Sequence, residues 1–313
     1  MTLTAEKKEK APFSNRLKRN FIKHRSLYLI ALPIALFYLL FKYVPMFGIV
    51  ISFQDYRPGK GFWGSDFAGL KHFIDFLTNP TASRTIRNTL VINLYQLIFG
   101  FPAPIILALL LNELKLPLFK KTVQTISYMP HFISLVVICG MIKDFSSTYG
   151  VFNDVITFLG FERDNLLGNV DLYRGIYVGS GIWKGIGWGS ILYLATLSGA
   201  DPNLYEAAVI DGAGRWKQMV HITLPTIIPI AILQLIMRIG SMMSEGAEKT
   251  ILLYSPLVYE KADLISSFVY RRGLQEMNFS YGAAVGLFNS VINLTLLVAA
   301  NRLARKATGE SMW

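Results

Sequence analysis

The chain has 313 residues, of which 52% are hydrophobic and only 16% charged, with a mean hydropathy of +0.40. Soluble domains carry roughly 25% charged residues, so this composition excludes a soluble enzyme and describes a membrane protein with short polar connections. The net charge of +11 would suggest nucleic acid in a soluble protein, but here Lys and Arg flank apolar runs, so no nucleic-acid partner is expected and membrane lipid is.

Residues 1–26 form a basic segment, with Lys7, Lys8, Lys10, Arg16, Lys18, Arg19, Lys23 and Arg25 ahead of the first apolar run. No small-residue cleavage site follows, so that run reads as a span and not as a cleaved signal. About 20 apolar residues cross a bilayer as a helix. Six stretches meet that length: Leu27–Ser52, Asn88–Leu111, Val123–Ile142, Tyr173–Leu197, Ile222–Met243 and Gly282–Leu303. All must be helical, because lipid offers the backbone no partners. The fourth is the weakest, being Gly-rich and containing Lys184. The expected fold is all-α and polytopic, a single six-span domain over 27–304 with a cytoplasmic tail at 305–313.

Lys and Arg in the flanks set the orientation. With both termini inside, the inner segments carry more Lys and Arg than the outer connections, half of the inner ones in the N-terminal segment, which favours cytoplasmic ends in a bacterial cytoplasmic membrane. The single Cys139 allows no intramolecular disulfide, and the four histidines show no metal-ligand spacing, so no metal is expected.

This orientation places a polar insert, residues 199–224, on the cytoplasmic side. Asp201 is a good N-cap and Pro202 suits the first helical position, so a short helix is expected over "NLYEAAVI". Gly212 ends it, Gly214 permits a second bend, and "RWKQMVHITL" resumes as a helix entering the fifth span. A solvated loop needs neither a capped helix nor the small residues Ala207, Ala208, Gly212, Ala213 and Gly214. A slim helix with charged ends fits the groove of a partner.

"EAAVIDGAGRWKQMVHITLPTIIP" (Glu206 to Pro229) resembles the EAA signature of permease subunits in binding-protein-dependent ABC importers. That pattern is an EAA triplet, an Asp-Gly-Ala after a short gap, and a later Ile-x-Leu-Pro. It is matched by Glu206-Ala207-Ala208, Asp211-Gly212-Ala213 and Ile222-Thr223-Leu224-Pro225. The stretches "GFPAPIILALLLNEL", "SYMPHFISLVV" and "SGIWKGIGWGSILYLATLSG" are similar to the polysaccharide-type sugar permease branch. The resemblance implies the MetI-like permease fold, a second related permease subunit, two ATPase subunits, an extracytoplasmic solute-binding protein and an oligosaccharide cargo. It implies that Glu206, Ala207, Ala208, Asp211, Gly212 and Ala213 form the ATPase-coupling segment. No G-x-x-x-x-G-K-[ST] occurs, so no cofactor is expected on this chain and ATP with Mg²⁺ belongs to the partner subunits.

Polar residues within spans usually face a bundle interior or a water path. Those expected along a substrate path are Asn93, Gln96, Lys184, Gln234, Arg238, Asn289 and Asn293. Trp183, Trp188 and Tyr193 join them as faces on which sugar rings stack. Close helix approach is expected at Gly181 and Gly185, which have small-xxx-small spacing, and a partner permease is the expected neighbour. The segment 249–280 reads as a structured outer loop or short helix on which the binding protein lands. The alternative, a stand-alone secondary transporter driven by an ion gradient, predicts inverted repeats and mid-membrane carboxylates. The span centres contain no Asp or Glu. A membrane enzyme would need a cluster of titratable groups that the spans lack.

Overall fold

Proline at the first helical position, next to a side-chain cap, recurs along this sequence and fixes where its helices begin. The structure, a computed structural model, describes residues 23–244 and 246–313. The chain divides into two units, Met1–Val50 and Ile51–Trp313. In the first, α1 (Arg25–Tyr38) runs through a wider π turn at Leu39–Tyr43 into a tighter 3-10 run, with nearly every described side chain exposed. Most of the basic segment 1–26 lies outside the described residues.

The second unit opens with two short antiparallel strands, β1 (Gln54–Asp55) and β2 (Asp66–Phe67), in the register Gln54 opposite Phe67. Lys71, on α2 (Lys71–Thr78), donates to both Asp55 carboxylate oxygens at 2.9 and 3.0 Å and holds that carboxyl below its usual range. Asn79 then accepts the Thr81 N–H at 2.8 Å and starts α3 (Pro80–Tyr95). A π turn over Gln96–Gly100 joins it to α4 (Pro102–Glu113).

The single helix expected over Val123–Ile142 is two: α5 (Pro117–Phe132) and α6 (Leu135–Ser146). Pro130 weakens the end of α5, the backbone goes extended at Ile133 and Ser134, and the Ser134 hydroxyl accepts the Val137 N–H at 3.3 Å to begin α6. After α7 (Val151–Phe158) comes α8 (Tyr173–Ser198), 26 residues long, matching the expected fourth span. The insert holds α9 (Pro202–Ile210) and α10 (Arg215–Gln218), followed by a π turn at Met219–Thr223 and α11 (Leu224–Gly240). The segment after it folds into α12 (Ala247–Leu253), α13 (Tyr259–Ala262) and α14 (Ile265–Val269), before the long α15 (Phe279–Thr308).

Five helical stretches are long and apolar enough to cross a membrane: Arg25–Phe53, Pro80–Glu113, Leu135–Phe158, Arg215–Gly240 and Phe279–Thr308. Among the described residues the expected count of six is therefore not reached on length and apolarity. The missing one is α8, whose glycines and Lys184 lower its hydropathy because it is the helix most surrounded by others. It packs on α4, α5 and α11, and a core of Ala108, Tyr193, Leu197 and Ile227 joins these layers.

Glycine makes that packing possible, though not at the expected pair. A Cβ on Gly187 would sit 2.1 Å from the Ser127 carbonyl oxygen on α5, and one on Gly189 would sit 2.9 Å from Pro104 on α4. At Gly181 the neighbour is the Lys249 ammonium, and nothing lies within 4 Å of a Cβ on Gly185. Within this chain the close approach falls at Gly187 and Gly189, just beyond the Gly181–Gly185 pair expected to meet a partner permease.

The expected structured segment at 249–280 is present and well packed, with Leu253, Val258, Ala262, Leu264, Ile265 and Phe268 buried. Asp263 is fully buried and takes Arg271 in two hydrogen bonds, at 2.7 and 3.3 Å, and the Ser267 hydroxyl at 2.9 Å. Burial alone would lower the Arg271 pKa, but the hydrogen bond and charge of Asp263 outweigh it and raise the pKa above its ordinary value. A lone buried charge here would be strongly destabilising, about 3–5 kcal/mol.

Gly187→Ala should destabilise the folded chain by about 1–3 kcal/mol, because backbone on both sides must give way. Gly185→Ala should leave it unchanged. Thermal unfolding of the two variants in detergent, side by side, checks this.

Candidate functional site

The insert is built from the backbone outward. The Asp201 carboxylate accepts the Asn203 N–H at 2.9 Å and starts α9. The helix ends in a Schellman turn: Ala213 N–H donates to the Ala208 carbonyl at 2.8 Å and Gly212 N–H to that of Val209 at 3.0 Å. This turn needs a left-handed residue, supplied by Gly212 at φ +70° with open space around it. Gln218 then donates to the Ala213 carbonyl at 2.8 Å, tying α10 back onto the turn.

The surface of this insert is unusual for a water-facing loop. Ile210 is 85% exposed and Trp216 73%, with Leu204 and Val209 also exposed. Glu206 and Asp211 are exposed beside them, and Ala208 and Ala213 are half-buried. Glu206 makes no hydrogen bond or ion pair with any described residue. Facing inward, the Tyr205 hydroxyl lies 3.1 Å from the Thr223 hydroxyl, which is fully buried at the start of α11. Among the described residues this side-chain bond ties α9 to the start of α11.

A second cluster lies between helices. A cavity of about 400 Å³ is lined by Trp188, Gly189, Leu192 and Tyr193 of α8, Gln234 and Arg238 of α11, and Gly100, Phe101 and Pro104 around the start of α4. Arg238 donates to Gln96 in the π turn at 2.8 Å. Five of the expected path residues, Gln96, Trp188, Tyr193, Gln234 and Arg238, therefore converge from three helical stretches. Trp188 stacks on His131 with ring centres 4.3 Å apart and planes 2° from parallel.

The other five lie elsewhere. Lys184 donates to the His131 and Ile133 carbonyls at 3.1 and 3.2 Å, which the break after α5 leaves without helical partners. Asn93 donates to Thr89 one turn back on its own helix. Asn293 accepts the Met243 N–H at 2.9 Å and Asn289 donates to the Met243 carbonyl at 3.4 Å, so both hold the turn that ends α11. Trp183 lines a separate apolar cavity of about 490 Å³ with Met141, Phe145 and Phe152. The pairings of His131, Tyr205 and Thr223 are not legible in the sequence. Each residue is an ordinary type whose partner is 18 or more residues away.

A predominantly helical, multi-pass chain with an exposed, capped insert tied to a membrane helix has the organisation of a transport subunit. The chain belongs to the family of binding-protein-dependent transport system inner membrane components, which matches residues 81–309. It is 45% identical over 308 residues to the polygalacturonan/rhamnogalacturonan transport system permease protein YteP of Bacillus subtilis (strain 168), covering 98% of this chain and 95% of that protein. A chain of a bacterial ABC transporter involved in the import of the acidic polysaccharide alginate superposes with a TM-score of 0.87 at 39% identity, covering 94% of this chain and 99% of that one. A chain of a bacterial alginate ABC transporter in complex with alginate pentasaccharide-bound periplasmic protein gives 0.88 at 38%, covering 95% and 100%. The family is one of transport permeases, resident in the inner membrane, and membership favours that reading over a secondary transporter.

Removing this bond by Tyr205→Phe should loosen α9 by about 1 kcal/mol, roughly fivefold in local opening. Amide hydrogen exchange across 203–213 should rise by that factor while exchange in α11 stays as it was.

Proposed function

We propose that this chain is one of two permease halves of an ABC importer for an oligosaccharide, delivered by an extracytoplasmic binding protein and driven by two ATPase subunits on the cytoplasmic side. In this reading α8 is the fourth of six spans, 27–304 is a single domain, both termini are cytoplasmic and residues 199–224 face the ATPases. Glu206, Ala207, Ala208, Asp211, Gly212 and Ala213 form the docking surface. Nucleotide and Mg²⁺ bind the ATPases, and this chain transmits their movement.

The exposed, rigidly terminated insert carries the proposal. Its outward face offers Ile210 and Trp216 for burial and an unpaired Glu206 for a polar or basic group. Its inward face grips α11 through Tyr205 and Thr223, so that displacing the insert moves the helix bearing Gln234 and Arg238. Those side chains, with Trp188 and Tyr193, supply the amide, cation and aromatic faces suited to sugar hydroxyls and rings. The names of the similar proteins, which concern polygalacturonan, rhamnogalacturonan and alginate, support a saccharide cargo.

Glu206→Lys, or Gly212→Val, should insert normally yet lose most sugar uptake, with ATP hydrolysis by the assembled transporter no longer rising with cargo. Uptake at the unaltered rate in both variants would remove the docking role.

A further inference from the structure

Three helices bring cations to one hollow on the face that carries α12 to α14. Its volume is about 350 Å³, and its wall includes Arg84, Arg87 and Asn88 of α3, Arg174 of α8, and Glu260 and Lys261 of α13. Four cations share this wall with one acid, Glu260. Lys261 pairs with Asp171, whose carboxyl it holds below the usual range. Arg84 stands 3.9 Å from Asp263, an acid already held in two hydrogen bonds by Arg271.

Neither Arg174 nor Arg87 forms an ion pair with any described residue, although Glu260 stands on the same wall. Arg174 is held by neutral acceptors, the Asn88 side-chain oxygen at 2.7 Å and the Lys261 carbonyl at 3.3 Å. Asn88 is itself fixed, donating to the Glu260 and Asp263 carbonyls at 2.9 and 3.1 Å. Arg87 is exposed and bonds to no described residue. Two guanidinium groups beside one hollow, one of them pre-positioned by a buried amide, form a fork suited to a carboxylate. A concave wall also concentrates the field of its charges on whatever enters.

We propose that this hollow is a binding site for the carboxylate of an anionic sugar, with Arg87 and Arg174 as its ligands. The hollow is within the size range of sites that enclose small ligands, about 300–1,000 Å³, and the Ser83 hydroxyl on its wall serves a sugar hydroxyl. The assignment of cargo rests on the importer reading. The test therefore measures binding and does not require transport.

The transporter, assembled from this chain with its partner permease and ATPases, is placed in nanodiscs without the binding protein. Equilibrium binding of trigalacturonate is compared with that of its methyl ester, at low and high salt. The acid should bind more tightly, salt should erode the difference, and Arg87→Gln should weaken the acid roughly tenfold or more while barely affecting the ester. Equal binding of acid and ester, or an Arg87→Gln effect common to both, would overturn the proposal. So would unchanged binding of the acid by Arg87→Gln together with lost docking in a parallel preparation to which the binding protein is added, which would assign the cations to a protein carboxylate. Acid-selective binding in a complex that imports no sugar would keep the site and remove the importer reading.

Discussion

Lipid supplies the peptide backbone with no hydrogen-bond partner, so each place where a helix of this chain stops or bends must be answered from within the protein. The break between α5 and α6 is answered by Lys184, which takes the His131 and Ile133 carbonyls. The end of α11 is answered by Asn289 and Asn293 on α15, both on Met243. The packed segment after α12 is answered by Asn88, whose amide takes two of its carbonyls. These polar side chains hold the irregular backbone that sets this fold apart from a plain bundle of apolar helices.

That constraint explains what sequence reading reached and what it missed. Helix starts were legible, because Asp201–Pro202 carries its cap and proline within two residues, and the Schellman glycine Gly212 sits where the chain signals a turn. The insert was legible for the same reason, being a local pattern. The roles of the intramembrane polar residues were not. Lys184 stands out as expensive in lipid, but its partners lie 53 and 51 residues away and are carbonyls, which every residue has. Asn293 reaches a backbone group 50 residues distant. A polar residue in a span thus announces that something needs satisfying, without saying whether it is a cargo or a broken helix.

The same reasoning sorts the two ends of the molecule. At the insert, polar and apolar side chains stand outward although the backbone beneath is satisfied, which is what the proposed docking on another chain requires. Around Gln96 and Arg238, cation and amide satisfy each other across a cavity at a π turn, a local irregularity in α3 and α4 that widens the helix where α8 and α11 converge. The Tyr205–Thr223 bond connects these regions through α11. In the proposed reading, force applied at the insert reaches the cavity along one helix.

The central claim is that the insert seats on the ATPase. Site-specific cross-linking tests it most directly, using Ile210→Cys on the insert and Met277→Cys between the helical segment and α15, both strongly exposed. With a short bifunctional thiol reagent, Ile210→Cys should join this chain to the ATPase subunit in the assembled transporter, with a yield that changes when nucleotide is bound. Met277→Cys should give no such product. Cross-linking to the ATPase from position 277, or none from position 210 in an assembled and active complex, would contradict the account.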